Sequence, residues 1–385
     1  MTALDLEVAE EGFLQVTDGT VGIEEEFAIL DPESLDLVPA FDQLFEAALA
    51  DDLLGERVAG ELITSEVEIK SKAGADFHDA VADQRRARAA LFDLARSQGY
   101  LLGSTGTHPW ADYREQVFID TDHYRRVTEE LQYVARRNNT FALHVHVGVR
   151  GADRAVRVCD RLRPVLPTLL AASVNSPFLE GADSGLRSAR TQTFTRSFPR
   201  CGVPDAFGSW EAYRSYLELL VATGSIVEAT QVWWSIRPHL VFGTVEVRIC
   251  DAQMTAGESE ALAGLVVACV LQAARDEDEG RPMPELPPRL VEENLWRAIR
   301  WGNEGEMIDF SRSAAIPTRE AISQLQEWTG PLRGELGIET ALPERTGARR
   351  QLDDLESGRS LADVYASTVA LTGESYGAGA LEVSE

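Results

Sequence analysis

The sequence predicts an α+β fold in which helices cover one face of an antiparallel β-sheet. Strand-like segments are scattered among helical ones, and several have one polar and one apolar face, as in a sheet that is covered on one side. No βαβ unit with a glycine-rich turn stands out. Four strand-like segments each carry two charged or metal-binding side chains two residues apart. Because strand side chains alternate between faces, each pair lies on one face of its strand.

The first predicted strand, residues 20–30, places Glu24 and Glu26 on one face and Glu25 on the other, and a turn signal at 31–34 ends it. Apolar periodicity predicts helices at 41–54, 75–97, 120–136, 153–173 (with a kink at Pro164 and Pro167) and 209–222. The other predicted strands are 62–70, a short one after residue 99, 141–149, 231–237 and 244–250. From residue 258 onward we expect helices and connectors, with a proline-rich joint at 282–288.

The domain organisation that we expect is one catalytic domain over residues 19–372. Residues 1–18 are acidic and lack strong periodicity, so they predict a mobile or loosely packed leader, and residues 373–385 predict a C-terminal tail. Residues 181–208 are rich in Gly, Ser, Thr and Arg without apolar periodicity, which predicts a long loop. A loop of this length inside a compact domain is usually functional or disordered, so this segment is a candidate lid.

The charge balance limits the classes of partner. Acidic residues outnumber basic ones by 63 to 36, and the net charge of −27 opposes non-specific binding to nucleic acid and anionic membranes. No stretch approaches the ~20 apolar residues that a bilayer span needs. Lys70 and Lys72 are the only lysines. Lysine depletion with excess acid is expected of a halophilic protein in concentrated salt, where screening removes self-repulsion; an ordinary acidic enzyme is the alternative.

The cysteines and the N-terminus favour a cytoplasmic protein. Four widely separated cysteines without a C-x-x-C pair predict reduced thiols. The first residues carry acids and no basic region, unlike a secretory signal. The sequence leaves a homo-oligomer open.

The paired polar side chains predict a divalent-metal site on one polar face of the sheet. The pairs are Glu24 and Glu26, Glu66 and Glu68, His144 and His146, and Glu246 and Arg248. An acidic surface would explain the carboxylate pairs, but it would not favour His-x-His and Glu-x-Arg on further strands. Oxygen-rich sites with an occasional imidazole suit Mg²⁺ or Mn²⁺ better than Zn²⁺. Structural histidines and a cross-strand ion pair are the alternatives for the last two pairs.

Arginines point to an anionic ligand. Arg248 follows a candidate metal carboxylate, a common position for a clamp on phosphate or a substrate carboxylate. Arg187, Arg190, Arg196 and Arg200 form a positive island in the acidic chain and predict an anion-binding segment, with scattered surface arginines as the alternative. Trp233 and Trp234 precede Arg237; we expect one in the core and one able to pack on a substrate.

Missing motifs narrow the chemistry. The sequence contains no G-x-x-x-x-G-K-[ST] loop, no Rossmann fingerprint, no G-x-S-x-G elbow and no kinase H-R-D set. If the protein uses ATP, metal ions and arginines must therefore hold the phosphates.

The ordered set of motifs resembles the glutamate–cysteine ligase type 2 family. The motifs are Gly22-Ile23-Glu24-Glu25-Glu26-Phe27, the acidic strand ending near Glu68, His144-x-His146-x-Gly148, and Glu246-x-Arg248. The resemblance runs from about residue 18 to about residue 300. It implies a glutamine synthetase/guanido kinase-like fold, an antiparallel sheet funnel with helices outside that holds Mg²⁺ and ATP at its base.

The resemblance also implies roles for single residues. Family metal ligands fall on Glu24, Glu26 and Glu246, with Glu66 or Glu68 and one of His144 and His146 completing the set. Arg248 would contact phosphate or the substrate carboxylate, so Glu246 and Arg248 are the catalytic candidates. The substrate-binding candidates are Arg187, Arg190, Arg237 and Arg248.

The implied reaction is ATP-dependent ligation through an acyl phosphate. The γ-carboxylate of L-glutamate would take the terminal phosphoryl group of ATP, and the amine of L-cysteine would then attack, giving γ-glutamylcysteine, ADP and phosphate. Small molecules are the expected partners, with Mg²⁺ or Mn²⁺ as cofactor. The alternatives are a ligase with another amine or carboxylate, a metal-dependent hydrolase without ATP, and a catalytically silent binding protein.

Overall fold

A computed structural model describes residues 5–283 and 285–377, and its centre is a seven-stranded antiparallel sheet. The described strands, in chain order, are β1 (Val21–Leu30), β2 (Val58–Ala59), β3 (Glu66–Lys70), β4 (Leu101–Gly103), β5 (Ala142–Gly148), β6 (Phe178–Leu179), β7 (Ala182–Asp183), β8 (Cys201–Gly202), β9 (Trp233–Trp234), β10 (Ile236–His239), β11 (Thr244–Asp251), β12 (Glu306–Asp309) and β13 (Ala314–Pro317). The order in the main sheet is β10, β11, β5, β1, β3 and β2, with β4 paired to the end of β1. The predicted α+β class with an antiparallel sheet is confirmed.

Helices surround this sheet. The described helices are α1 (Leu6–Gln15), α2 (Phe41–Leu49), α3 (Phe77–Ser97), α4 (Asp122–Leu131), α5 (Tyr133–Arg136), α6 (Ala152–Leu162), α7 (Leu166–Ser173), α8 (Ala189–Ser197), α9 (Trp210–Ala222), α10 (Ala256–Asp278), α11 (Pro288–Trp301), α12 (Thr318–Leu336), α13 (Gly347–Glu356) and α14 (Leu361–Tyr376). The predicted helix at 153–173 is divided into α6 and α7, with Pro164 lying between them.

One face of the sheet is the main hydrophobic core. Side chains that alternate along the central strands, such as Ile23, Val145 and Val247, are buried against α3, α6, α7 and α10. Each such side chain stabilises the fold by about 1.5–3 kcal/mol through removal from water. Glu25 also points to this side, where Gln84 and Arg88 of α3 donate to its carboxylate. Period-2 alternation therefore sends the opposite set of side chains, the polar pairs, to the other face.

Helix α10 is the one helix of the described residues whose length and apolar composition would suffice to cross a membrane. However, 72% of its apolar 18-residue stretch is buried inside the protein. Its residues, from Leu262 to Ala274, pack against β5, α6 and α12. This burial is typical of a core helix.

The expectation of a loosely packed leader over residues 1–18 was wrong for the residues that the structure describes. Helix α1 begins after Asp5, whose side chain accepts from the backbone N–H groups of Glu7 and Val8. Leu6, Ala9 and Phe13 lie on one face of the helix and are buried in the main core. Only these three apolar residues form the buried face, and acidic residues lie between them. The helical periodicity of the sequence was therefore weak. Residues 1–4 lie outside the described residues.

The C-terminal boundary also differs from the prediction. Helix α14 continues past residue 372 to Tyr376, whose ring is buried and stacks on Phe92 at 5.4 Å between ring centroids. The phenol donates to the carbonyl of Gln253 at 3.0 Å. The predicted tail therefore begins inside a packed helix, and residues 378–385 lie outside the described residues.

Two segments have more regular structure than expected. Residues 181–208 contain α8 and the short strands β7 and β8 instead of a continuous loop. Ser188 caps α8 by accepting from Thr191 N–H, and β8 pairs in parallel with the distant β9. In the C-terminal region, β12 and β13 form a hairpin where only helices and connectors were predicted. Both strands in that hairpin are four residues long, too short for a clear periodicity.

Candidate active site

Antiparallel register collects the predicted polar pairs on the sheet face opposite the main core. The cross-strand partners are Glu24 and His144, Glu24 and Lys70, Glu26 and Glu68, Ala28 and Glu66, His146 and Glu246, and Glu246 and Arg237. Each of these ionisable residues except Lys70 is at most 9% exposed. Burial of so many ionisable groups is costly unless they are paired or hold a cation.

The carboxylates and imidazoles form three overlapping groups. In each group one potential ligand atom per residue lies within 4.8 Å of the others. The groups are Glu24, Glu68 and His144; Glu24, His146 and Glu246; and Glu26, Glu61 and Glu68. Glu24 is shared by the first two groups and Glu68 by the first and third. The sequence left open which member of each pair would be a ligand, and this geometry brings both histidines and most of the glutamates together.

The two histidines point their ring nitrogens at carboxylates. His144 Nδ1 lies 3.5 Å from Glu24 Oε2, and His144 Nε2 lies 3.7 Å from Glu26 Oε1. His146 Nε2 lies 3.5 Å from Glu24 Oε1 and 3.9 Å from Glu246 Oε1. These distances are longer than ordinary hydrogen bonds. The opposite nitrogen of His146, Nδ1, is 3.0 Å from Thr244 Oγ1, a contact that orients the ring with Nε2 toward the carboxylates.

The crowding of acids changes their protonation. Burial and the neighbouring Glu68 raise the pKa of Glu26 to about 7, and burial with the charge of Glu26 raises the pKa of Glu61 to about 7. Burial raises the pKa values of Glu66 and Glu68 well above their usual range, with nearby carboxylates adding to the effect. Ionising all of these carboxyl groups together is therefore unfavourable unless a further positive charge is present.

Glu24 behaves differently, because it is next to the imidazoles. Burial alone would raise its pKa, but the charge of His146 and the approach of both imidazoles hold the pKa of Glu24 well below its usual value. Burial, together with the positive charge of Arg248, lowers the pKa of His144 to about 3. A neutral imidazole has a free lone pair, so His144 is in the form that binds metals.

Glu246 is the most strongly paired carboxylate of the cluster. Arg237 Nε donates to Glu246 Oε2 at 2.6 Å, and Arg248 Nη1 donates to Glu246 Oε1. Burial would raise the pKa of Glu246, but these two guanidinium groups hold it well below its usual value. Arg237 also donates to the backbone carbonyls of Thr230 and Val232, so its donors are largely used within the protein.

These polar groups form the floor of a cavity of about 370 Å³. The remaining lining residues include an apolar wall and a partly exposed rim. The wall contains Leu62, Tyr124, Val127, Phe194, Phe198 and Trp233, and the rim contains His239, Val241 and Phe242. A charged floor with apolar walls is suited to a small polar ligand held out of bulk water.

The arginine segment is divided between the cavity and other parts of the fold. Arg190 lines the cavity, whereas Arg187 is not among its lining residues and pairs through Nε with Glu304 at 3.0 Å. Arg200 Nη2 donates to Glu130 at 2.9 Å, and its guanidinium lies 5.5 Å from the centroid of the Trp233 ring. Trp234 is buried in the main core, as expected for one of the two tryptophans.

Sequence reasoning missed two charged residues in the cavity. Glu61 lies in the connection between β2 and β3, so it belongs to no i, i+2 strand pair. Lys70 was noted only as one of two lysines, yet its ammonium lies 2.6 Å from Glu68 Oε1 and 3.5 Å from Glu24 Oε1. A lysine at i+2 from Glu68, in a chain that otherwise uses arginine, was the available signal for Lys70.

The donor set fits a hard divalent cation. Carboxylate oxygens predominate and two imidazoles accompany them, the chemistry that Mg²⁺ and Mn²⁺ accept. Glu66 Oε2, His144 Nδ1 and His146 Nε2 are buried and make no hydrogen bond to the described residues. Burial of these atoms costs free energy, because they lose hydrogen bonds to water and gain none within the protein. A bound cation would satisfy them.

Comparisons with known proteins show the family of the chain. Residues 20–378 match the family model described as Glutamate-cysteine ligase family 2. A protein of Rubrobacter xylanophilus provisionally named glutamate–cysteine ligase 2-2 is 39% identical over 337 residues, which cover 87% of this chain and 86% of the relative. A protein of Gloeobacter violaceus provisionally named glutamate–cysteine ligase 2 is 37% identical over 365 residues, covering 93% of this chain and 98% of the relative.

The fold is similar to that of a solved ligase. The crystal structure of glutamate–cysteine ligase from Francisella tularensis in complex with AMP superimposes with a TM-score of 0.69. The sequence identity is 12%, and the match covers 94% of this chain and 90% of the other. A bifunctional glutathione synthetase from Pasteurella multocida has a TM-score of 0.68 at 13% identity, over 96% of this chain and 54% of that protein. At these identities the likeness concerns the fold alone.

Proposed function

The chain belongs to the Glutamate-cysteine ligase family 2, and on that basis we propose that it is an ATP-dependent ligase. It joins the γ-carboxylate of L-glutamate to the amine of L-cysteine, acting on small molecules in the cytoplasm. The observation that carries the proposal is the buried cluster of glutamates and histidines on the cavity floor, flanked by Arg248 and Arg237. Such a floor can receive metal–nucleotide phosphates and a carboxylate substrate.

The proposed metal ligands come from four adjacent strands and one connection. Glu24 and His144 would hold a cation with Glu68, and Glu24 would also share one with His146 and Glu246. Glu26 and Glu61 would complete the set with Glu68, and Glu66 lies beside them as a further carboxylate. When bound, Mg²⁺ would neutralise phosphate charge and bring the reacting oxygens together.

Arg248 is the proposed contact to phosphate or to the substrate carboxylate. Its Nη1 is tied to Glu246, which fixes the guanidinium at the cavity, whereas its Nη2 makes no hydrogen bond to the described residues. A guanidinium with remaining donors recognises phosphate or carboxylate oxygens well. Arg237 is proposed to keep Glu246 ionised, since its own donors are used by Glu246 and backbone carbonyls.

The proposed reaction has two transfers. A γ-carboxylate oxygen of glutamate attacks the terminal phosphorus of ATP, and the bond to ADP breaks, giving γ-glutamyl phosphate. The cysteine amine then attacks the carbonyl carbon and loses a proton, and inorganic phosphate leaves. The apolar wall with Phe194, Phe198 and Trp233 would keep water from the acyl phosphate. The part of residues 181–208 that follows the anchored start of α8, with Phe194 and Phe198, is the proposed moving segment.

The experiment that tests this function measures ADP release by the purified protein with Mg²⁺ and ATP in high-salt buffer. Glutamate and cysteine are supplied alone, together, and with each replaced by other carboxylates or amines. ADP formation that requires both glutamate and cysteine supports the proposal. ADP formation with another pair would keep the mechanism and change the substrates.

Two further outcomes would contradict the proposal. Metal-dependent hydrolysis of a substrate without ATP would indicate a hydrolase that uses the same acidic floor to activate water. A folded protein that binds Mg²⁺ and ATP, measured by calorimetry, but releases no ADP with any pair would indicate a binding protein. Mass spectrometry of the product distinguishes γ-glutamylcysteine from uncoupled ATP hydrolysis.

A further inference from the structure

Strand β11 contains a β-bulge at Arg248 and Ile249, directly after Val247. Val247 pairs with Val145 of β5, but the next paired residue is Cys250, opposite Leu143. Three steps along β11 therefore correspond to two steps along β5, so Arg248 and Ile249 together face a single residue of the neighbouring strand. Bulges of this kind disrupt the ladder of backbone hydrogen bonds and redirect side chains.

Arg190 of α8 donates to both backbone carbonyls of this bulge. Its Nη2 donates to the carbonyl of Arg248 at 3.0 Å, and its Nη1 donates to the carbonyl of Ile249 at 3.1 Å. The Arg190 side chain is 7% exposed. The planar fork of a guanidinium can bond two successive carbonyls at once, which an ammonium cannot do.

A buried carboxylate holds the segment that carries Arg190. Asp251, at the end of β11, lies 3.6 Å from Arg190 Nη1. Ser188 Oγ donates to Asp251 Oδ1 at 2.9 Å, and Ser176 Oγ donates to Oδ2 at 2.7 Å. Ser188 is also the cap of α8, so Asp251 joins the start of that helix to the bulge. Asp251 itself is fully buried.

Arg190 and Arg248 consequently differ in what their donors can reach. Both terminal nitrogens of Arg190 are committed to backbone carbonyls. Arg248 has one terminal nitrogen on Glu246 and remains partly open to the cavity, with its side chain 16% exposed. The two arginines line the same cavity, yet only Arg248 retains a terminal nitrogen without a hydrogen bond among the described residues.

We propose that Arg190 is a positioning residue that fixes the Arg248 side chain at the cavity by bonding the two carbonyl groups of the bulge. Arg190 then contributes to activity through Arg248 and makes no necessary contact with substrate phosphate. The effect of Arg190 on activity rests on the proposed function. The effect of Arg190 on the bulge and on the Arg248 side chain does not, and it can be tested without measuring activity.

A double-mutant cycle separates positioning from direct contact. Arg190→Met, Arg248→Met and the double variant are compared for kcat and for the KM of ATP and glutamate, using ADP release. We expect Arg190→Met to lower kcat/KM by about 100-fold, the size expected when a reacting group is misplaced. We expect the double variant to have the same kcat/KM as Arg248→Met alone, because both changes remove the same interaction. Losses that multiply would overturn the proposal, since Arg190 would then act independently of Arg248.

Arg190→Lys tests the need for the fork. Lysine keeps the positive charge but cannot bond both carbonyls in the same geometry. We expect Arg190→Lys to remain close to Arg190→Met in kcat/KM. A lysine variant with wild-type KM for ATP would show that charge alone is required, as for a phosphate contact, and would overturn the proposal. Arg190→Lys also serves as the weaker change if Arg190→Met does not fold.

Arg163 provides a matched control. It is also buried and donates from Nε to a backbone carbonyl, that of Pro204, at 2.6 Å, but it does not line the cavity. We expect Arg163→Met to lower the melting temperature without changing the kinetic constants. Equal kinetic losses in Arg163→Met and Arg190→Met would show that both act only through stability, which would contradict a positioning role.

A crystal structure of the Arg190 variant decides the structural part even if the wild-type protein has no ligase activity. We expect the Arg248 guanidinium to leave Glu246 and the carbonyls at the bulge to turn. An Arg248 side chain in the wild-type position would overturn the proposal. An inactive wild type combined with a displaced Arg248 would contradict the proposed function and leave the positioning role supported.

Discussion

The ammonium of Lys70 lies 2.6 Å from the carboxylate of Glu68, two residues earlier on the same strand face. It also lies 3.5 Å from Glu24 and is surrounded by residues of the proposed metal cluster. Glu68 is buried, so Lys70 supplies a positive charge where a divalent cation would also be favourable. The Lys70 ammonium therefore offsets part of the negative charge of the cavity floor in the metal-free protein.

We expect Lys70→Met to destabilise the metal-free protein by about 1–3 kcal/mol, because Glu68 loses a charged partner. Mn²⁺ should then bind more tightly, since the competing cation is absent. Thermal unfolding with EDTA and with increasing Mn²⁺ measures both effects. Lys72→Met is the matched control, because Lys72 is exposed and is the other lysine of the chain. A Lys70 variant whose Mn²⁺ affinity is unchanged or weaker would contradict this role.

Replacement of the proposed metal ligands should abolish turnover. We expect Glu24→Gln or Glu246→Gln to lower kcat by about 100-fold or more while the fold is retained, because each variant removes a charged ligand and keeps the side-chain shape. ADP release and circular dichroism measure the two properties. Glu33→Gln, at an exposed position in the turn after β1, is the control. Near-normal activity in both cluster variants would exclude the metal-site assignment.

A pH effect on stability is expected from His108, which is not among the residues that line the cavity. Its Nδ1 accepts from the backbone N–H groups of Trp110 and Ala111, and its Nε2 donates to the carbonyl of Leu35. Burial lowers the pKa of His108 to about 4, although the hydrogen bond to Leu35 and the charge of Asp36 oppose the shift. A proton on Nδ1 would face two donors, so the neutral form is required.

Because the folded-state pKa of His108 is below its unfolded value, its contribution to stability is complete above pH about 6.5 and declines as the pH falls toward 4. The total loss is on the order of 3 kcal/mol. Urea unfolding between pH 4 and 7 measures this slope. We expect His108→Gln to flatten the slope in this window and His78→Gln, at an exposed histidine, to keep it. Equal slopes in both variants would argue against His108 as the titrating group.

Salt should stabilise the protein. The net charge of −27 produces repulsion that is screened at high ionic strength. We expect the melting temperature to rise as KCl is raised from about 0.1 M, where the Debye length is about 10 Å, to 1 M and above. A melting temperature that falls over this range would mean that the surface ion pairs, such as Arg154 with Asp18, outweigh the repulsion.

The sequence determined which side chains share a face of each strand. Side-chain alternation is a local property of the backbone, so Glu24 and Glu26 had to point away from Glu25 wherever the strand lay. The same argument held for His144 with His146, and for Glu246 with Arg248. The residue types then indicated a divalent cation, and the sheet class followed from the polar and apolar faces.

The tertiary structure decided which of these pairs meet. Register between distant strands places Glu24 opposite His144 and His146 opposite Glu246, and no local pattern specifies it. It also brought in Glu61, which stands outside any strand. Arg187 and Arg190 are three residues apart, yet one pairs with Glu304 and the other bonds the bulge in β11. This difference arises from long-range packing, because the packing decides which acceptor groups lie within hydrogen-bond distance of each guanidinium.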